Sequence, residues 1–147
     1  MIAVVQRVTR AGVFVAEPPH TQTIQIGLCV LLGIEHNDNE SDAKWMANKL
    51  SKLRIFCDLE GKMNLSILDI KGELLLISQF TLAADCQRGN RPSFTDAAAP
   101  DVAESLVNTV GTLLEQLHIP VKRGVFGAKM RVEIENDGPV TIVLKQD

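Results

Sequence analysis

The chain has 147 residues, 46% of them apolar and 22% charged, and a net charge of −3 at neutral pH. That is enough for one domain with a buried core, too few for two ordinary domains, and too apolar for a disordered chain. The acidic balance excludes a protein that grips long stretches of nucleic acid, because neutralising many phosphates needs a basic face; holding only the last nucleotide of an RNA stays compatible with it.

Aromatic residues make up only 4% of the chain, so the core falls to Leu, Val and Ile, a composition that suits sheets covered by helices. Cys29, Cys57 and Cys86 are an odd set without CxxC spacing. Cys29 in an apolar run and Cys57 beside Phe56 read as buried free thiols, which implies a reducing compartment, the cytoplasm. The opening MIAVVQRVTR is interrupted by Gln6 and Arg7 and alternates like a strand rather than a signal peptide. No segment has the length of a transmembrane helix, so no membrane partner is expected.

In chain order, residues 2–8 and 10–16 predict two β-branched strands with a break near Thr9, and residues 22–26 a short strand. Leu28–Ile34 is almost wholly apolar, as a strand buried on both faces should be. A helix is predicted from Ser41 to Leu53, its apolar stripe formed by Ala43, Met46, Ala47, Leu50 and Leu53. A strand through Arg54–Asp58, a turn at Leu59–Gly61 and an apolar strand at Glu73–Phe80 follow. The loop Ala83–Ala99, rich in Gly, Pro, Arg and Asp, is long enough to suggest function.

A second helix is predicted from Pro100 to Leu117, with Pro at its first position and Asp101 and Glu104 near its positive end. Its buried stripe is read as Val102, Leu106, Val110, Leu113, Leu114 and Leu117; Gly111 interrupts it at a cost of about 1 kcal/mol. Strands at Arg131–Glu135 and Val140–Leu144 flank Asn136-Asp137-Gly138-Pro139, which reads as a hairpin turn. No repeat or linker divides residues 1–147, so one continuous domain is expected. Two helices among seven or more strands give an α/β fold with a mixed or antiparallel sheet, since a doubly wound parallel sheet needs more helices.

His20, His36 and His118 are isolated, which argues against a zinc site, and neither a GxSxG elbow nor a glycine-rich phosphate loop is present. An enzyme of this sequence would work without a metal, a bound cofactor or an obvious triad. Two segments stand out. Ser78-Gln79-Phe80-Thr81-Leu82 ends a buried strand just before the long loop, where hydroxyls, an amide and backbone N–H groups can meet a carbonyl and a ribose. Composition alone favours an ordinary strand end with ordinary Ser and Thr. Pro139 directly after Gly138 removes a ladder donor where a strand should begin, and a Gly-Pro bond can be cis; by pattern alone a plain hairpin with trans proline is favoured. Arg88 and Arg91 in the long loop suit either phosphate contact or simple solvation.

Together with Val5-Gln6-Arg7-Val8, Gly61-Lys62-Met63-Asn64-Leu65 and Arg91-Pro92-Ser93-Phe94, the segments SQFTL and Asn136–Thr141 resemble the D-aminoacyl-tRNA deacylase family in order and spacing, over essentially the whole chain. The resemblance implies a homodimer whose partner molecule is the 3′ end of an aminoacyl-tRNA, hydrolysed at the ester of a D-amino acid. It implies that Ser78, Gln79, Phe80 and Thr81 line the catalytic pocket. Gly138-Pro139 of the other subunit, cis and supported by Arg7, would take the amino group and reject L enantiomers. Ala103, Phe126 and Met130 match positions around the terminal adenine. Glycine, having no enantiomer, should also be accepted. Gly12 departs from the small hydroxylated residue of many relatives, whereas Phe80 and Val140 side with the D-specific branch. Two other readings remain: a tRNA-end binding module without hydrolysis, and a general small-ester or D-peptide hydrolase.

Overall fold

The computed structural model of the chain describes residues 1–146. Strand β1 (Ile2–Val15) runs its whole length beside one neighbour and divides its other side between two: Ile2–Val8 pairs with β3 (Gly27–Gly33), and Ala11–Val15 with β2 (His20–Ile24). The break expected near Thr9 is therefore a change of partner within one strand. Val8 and Arg10 mark a shift of register against the long neighbour, which bends the strand without ending it.

Strand β3 continues in parallel to β6 (Glu73–Ser78), and β6 to β7 (Val121–Arg123), so the main sheet is mixed. A separate two-stranded hairpin pairs β4 (Phe56–Cys57) with β5 (Met63–Leu65). The strands β5 and β7 carry no long apolar run and were not foreseen. The α/β expectation holds, with two helices, α1 (Glu40–Lys52) and α2 (Pro100–Gln116).

Helix α1 starts at a capping box. The Asn39 side chain accepts from the Ser41 backbone N–H at 2.8 Å, and Asp42 accepts from the Asn39 N–H at 2.8 Å. Its stripe of Ala43, Met46, Ala47 and Leu50 is buried as expected. Helix α2 is rotated from the expectation: Val102 and Leu117 are exposed, and the buried face is Ala103, Leu106, Val107, Val110, Gly111 and Leu114. The small residues Ala103 and Gly111 admit close neighbours that larger side chains would exclude. Gly111 in particular lies under the Arg123 guanidinium, which stands 2.5 Å from where a Cβ would be.

The apolar character of β3 and β6 follows from two cores on opposite faces. Leu28, Val30, Leu32, Leu74 and Leu76 pack with the helices, while Cys29, Leu75 and Ile77 join Val8, Val13 and Ile24 on the other face. Each such side chain removed from water contributes roughly 2 kcal/mol. Cys29 is a free thiol, pushed up to about 12 by burial, and so stays protonated and inert. Cys57, expected to be buried, is exposed, because the short β4 turns its side chain away from the core that takes Phe56. No helix among the described residues is long and apolar enough to cross a membrane.

The largest difference from the sequence reading is at the C-terminus. Arg131–Lys145 forms a single strand, β8, antiparallel to β1 from Phe14↔Arg131 to Ile2↔Lys145. The predicted hairpin at Asn136–Pro139 does not exist. Both flanking segments pair with the same strand in the same direction, so the intervening residues leave the ladder as a bulge. Between Gln6↔Thr141 and Val8↔Asn136, the single residue Arg7 faces the whole of Asp137–Val140.

Candidate active site

Strand β6 ends at Ser78, and the chain turns at Gln79 into one turn of 3-10 helix, Phe80–Ala83. The turn is anchored to β3 by the Gln79 N–H, which donates to the Leu32 carbonyl at 2.8 Å. Gly33 makes this approach available. A Cβ there would stand 2.9 Å from the Gln79 carbonyl oxygen and 3.0 Å from the Leu82 Cβ. Phe80 and Thr81, expected within and just after a strand, thus sit at the start of a helical turn whose first N–H groups have no partner within the turn.

Ser78, Gln79 and Phe80 line a cavity of about 500 Å³. Its other walls include Ala103 of α2 and Phe126 and Met130 of the segment between β7 and β8. The structure therefore brings six of the sequence-predicted residues to one concavity. Thr81 is not part of the lining; its hydroxyl is the hydrogen-bond partner of the Gln79 side-chain amide, which fixes that amide at the pocket edge. Phe80 is largely exposed and meets Phe94 of the long loop edge to face, with ring centroids 5.1 Å apart.

Sequence reading missed Ala97, Ala98, Gly127, Ala128 and Val132 in the lining. The clue was there in Gly124-Val125-Phe126-Gly127-Ala128, two glycines and an alanine around one aromatic, a composition that leaves space beside a ring. The lining is apolar apart from Ser78 and Gln79, and it includes no titratable side chain. Such a pocket can hold a flat, uncharged group and orient a polar end. It holds no general acid or base of its own.

Gly138-Pro139 lies elsewhere. Val132 lines the cavity, and Gly138 follows it along β8 by roughly 20 Å at a strand's rise of about 3.3 Å per residue. Asp137, Gly138 and Pro139 are exposed, and the Gly138-Pro139 peptide bond is cis. The bulge is held from both sides. Arg7 is buried beneath it, donating from Nε to the Asp137 carbonyl at 2.9 Å and from Nη1 to the Ile55 carbonyl at 2.7 Å. Its Nε also lies 3.4 Å from the Asp137 carboxylate.

At the base of the bulge the Asn136 side chain accepts from the Val140 N–H at 2.8 Å. Its amide donates to the Val140 carbonyl and the Thr141 hydroxyl at 3.2 and 3.1 Å. Gly138 has φ +136°, a conformation L side chains rarely adopt, and a Cβ there would lie 2.8 Å from Val140 Cγ2. The part played by Asn136 was not foreseen; Asn two residues before Gly-Pro was the available signal.

Arg88 and Arg91 are exposed on the long loop. A shallower groove of about 280 Å³ on the sheet face, lined by Arg10, Gly12, Phe14 and Glu135 among others, contains none of the candidate residues.

The family model described as D-Tyr-tRNA(Tyr) deacylase matches residues 4–145. A D-aminoacyl-tRNA deacylase of Thermosipho melanesiensis is 52% identical over 145 residues, covering 98% of this chain and 96% of its own. That of Cytophaga hutchinsonii is 51% identical with the same coverage. Among solved structures, the c-Myc DNA Unwinding Element Binding Protein matches with a TM-score of 0.93 at 43% identity, over 100% of this chain and 99% of its own. A probable eukaryotic D-amino acid tRNA deacylase shares the fold, with a TM-score of 0.84 at 14% identity over 97% of each chain.

Proposed function

The chain belongs to the D-Tyr-tRNA(Tyr) deacylase family and is a D-aminoacyl-tRNA deacylase, and we propose that it selects its substrate's chirality with a pocket and a turn supplied by different subunits of a homodimer. The observation that carries this reading is the separation along β8. A turn roughly 20 Å along β8 from Val132 of its own pocket, exposed and held from below by Arg7, is suited to serve the pocket of another copy. A two-fold axis gives each pocket one turn, and each turn one pocket.

In this arrangement Phe126, Met130 and Ala103 enclose the terminal adenine, and Ser78, Gln79 and Phe80 face the ribose and the ester. The partner's bulge presents main-chain carbonyls to the α-amino group. A D-amino acid then points its side chain out of the pocket, whereas an L-amino acid would drive it against the bulge or leave the amino group unpaired. Discrimination built from main chain ignores side-chain identity, so many D-amino acids, and glycine, are substrates.

The chemistry needs little from the protein. An aminoacyl ester of ribose is activated, with a vicinal hydroxyl beside the scissile bond. The Phe80 N–H, which opens the helical turn at the pocket wall, is offered to the oxyanion as water adds to the carbonyl. The tetrahedral adduct then collapses as the ester C–O bond breaks, a proton of the attacking water passing by way of the vicinal hydroxyl to the leaving ribose oxygen, and the pocket's part is orientation. Thr81 has no base within its motif to make it a nucleophile, and its bond to Gln79 supports a positioning role.

Matched D-tyrosyl-tRNA and L-tyrosyl-tRNA test the proposal. Rapid release from the D ester with the L ester spared is expected. Release from both removes the chiral role of Gly138-Pro139. Release from neither by folded protein leaves a tRNA-end binding module as the better reading.

A further inference from the structure

A second concavity, of about 250 Å³, adjoins the adenine pocket and shares two of its walls, Ser78 and Phe126. Its outer wall is α2, where Glu104 and Asn108 stand one helical turn apart on the same face. Its remaining polar side chain is Arg123 of β7. That guanidinium is engaged, donating to both carboxylate oxygens of Glu115 at 2.6 and 3.0 Å.

The charge pattern decides what this groove can take. Among the described residues that line it, Arg123 is the only cation, and Glu115 already neutralises it while Glu104 adds a negative charge. A phosphate is unsuited to such a groove. An uncharged ring with hydrogen-bonding edges is suited, since Val107 and Phe126 give apolar walls and Asn108 and Glu104 give one amide and one acceptor. We infer that the groove binds the base of the nucleotide preceding the terminal adenosine, which in tRNA is a cytosine. This inference rests on the deacylase reading, because the shared wall at Ser78 and Phe126 is what joins the groove to the adenosine's pocket.

Cytosine fits the donor and acceptor pattern. Its exocyclic amino group donates to the Glu104 carboxylate, and its ring acceptors take the Asn108 amide N–H. Uracil presents a carbonyl where cytosine has the amine, and would meet the carboxylate unfavourably. The groove therefore reads the identity of the penultimate base as well as occupying it.

Three short esters test this: D-tyrosyl-adenosine, and the D-tyrosyl esters of cytidylyl-adenosine and uridylyl-adenosine, compared by kcat/KM. The cytidylyl ester is expected to exceed the other two by about tenfold, the effect of one good base contact. Glu104→Gln and Asn108→Ala, both on the exposed side of α2, should each reduce that preference while leaving the adenosine ester unchanged. Equal efficiency on all three esters overturns the inference while leaving the deacylase reading intact. So does a preference that survives both substitutions. Failure of the wild-type protein to hydrolyse any of the three removes the deacylase reading, and this inference with it.

Discussion

The pocket and the bulge are built on opposite principles. The pocket is concave, walled by Phe126, Met130 and Ala103, and shaped by side chains from three separate parts of the chain. The bulge is convex and exposed, its outward surface mostly main chain, and its rigidity comes from one buried arginine below and one asparagine at its base. In the proposed site, side chains would recognise what is common to every substrate, the adenosine, and main chain would recognise what separates the substrates to be hydrolysed from those to be spared. A chiral filter made of carbonyls has no side chain to be outgrown by a larger amino acid.

The comparison breaks most completely at Arg7. Replacing it with Ala removes the donors of the Asp137 and Ile55 carbonyls beneath the bulge, at a cost of about 2 kcal/mol in unfolding free energy. The ratio of D to L hydrolysis should fall by tenfold or more as the turn loses its fixed position, and a denaturation curve with paired D and L assays reads both effects. On the pocket side, Phe126→Ala should raise KM about tenfold through lost contact with the adenine while leaving the D to L ratio unchanged. The two substitutions thus separate binding from chirality.

Thr81→Ala should lower kcat by no more than about threefold, since orientation and the N–H groups of the turn remain. A loss of a thousandfold with normal folding would make Thr81 a chemical participant. The smallest effect belongs to an ion pair that lines neither the pocket nor the bulge. The hydrogen bond from Arg123 holds the Glu115 carboxyl below the ordinary glutamate range. A carboxyl with a lowered folded-state pKa stabilises the fold above its unfolded value and loses that contribution as pH falls through the folded one. Glu115→Gln should therefore melt slightly below the wild type near neutrality. That difference should shrink as pH falls below the ordinary glutamate value of about 4.3 and the carboxyl takes up its proton.

The sequence was most legible where one pattern served one purpose. The double-faced burial of β3 follows from LCVLLGI, and the stripe of α1 from its helical spacing, because neither had a competing partner. The stripe of α2 was read from the largest apolar residues, and those at its margin, Val102 and Leu117, proved exposed. A helix that packs closely turns its small residues inward. Asn-Asp-Gly-Pro was read as a hairpin because local turn chemistry favours one. What overrode it was non-local, the pairing of β1 with both halves of β8. Six site residues that share one cavity were singled out by resemblance to a family, because composition alone favours an ordinary strand end at Ser78–Leu82.

The central claim is that one subunit's turn completes another's pocket, and complementation in mixed dimers tests it most directly. Ala128→Trp fills the pocket and leaves the bulge, whereas Gly138→Val distorts the bulge and leaves the pocket. Neither variant alone should hydrolyse D-tyrosyl-tRNA with selectivity. Co-expressed in equal amounts, they form mixed dimers that hold one intact pocket facing one intact turn. About a quarter of wild-type D-specific activity should then return, the share of sites that random pairing restores. Activity no greater than the sum of the two variants measured separately would contradict the claim and return the turn to its own subunit.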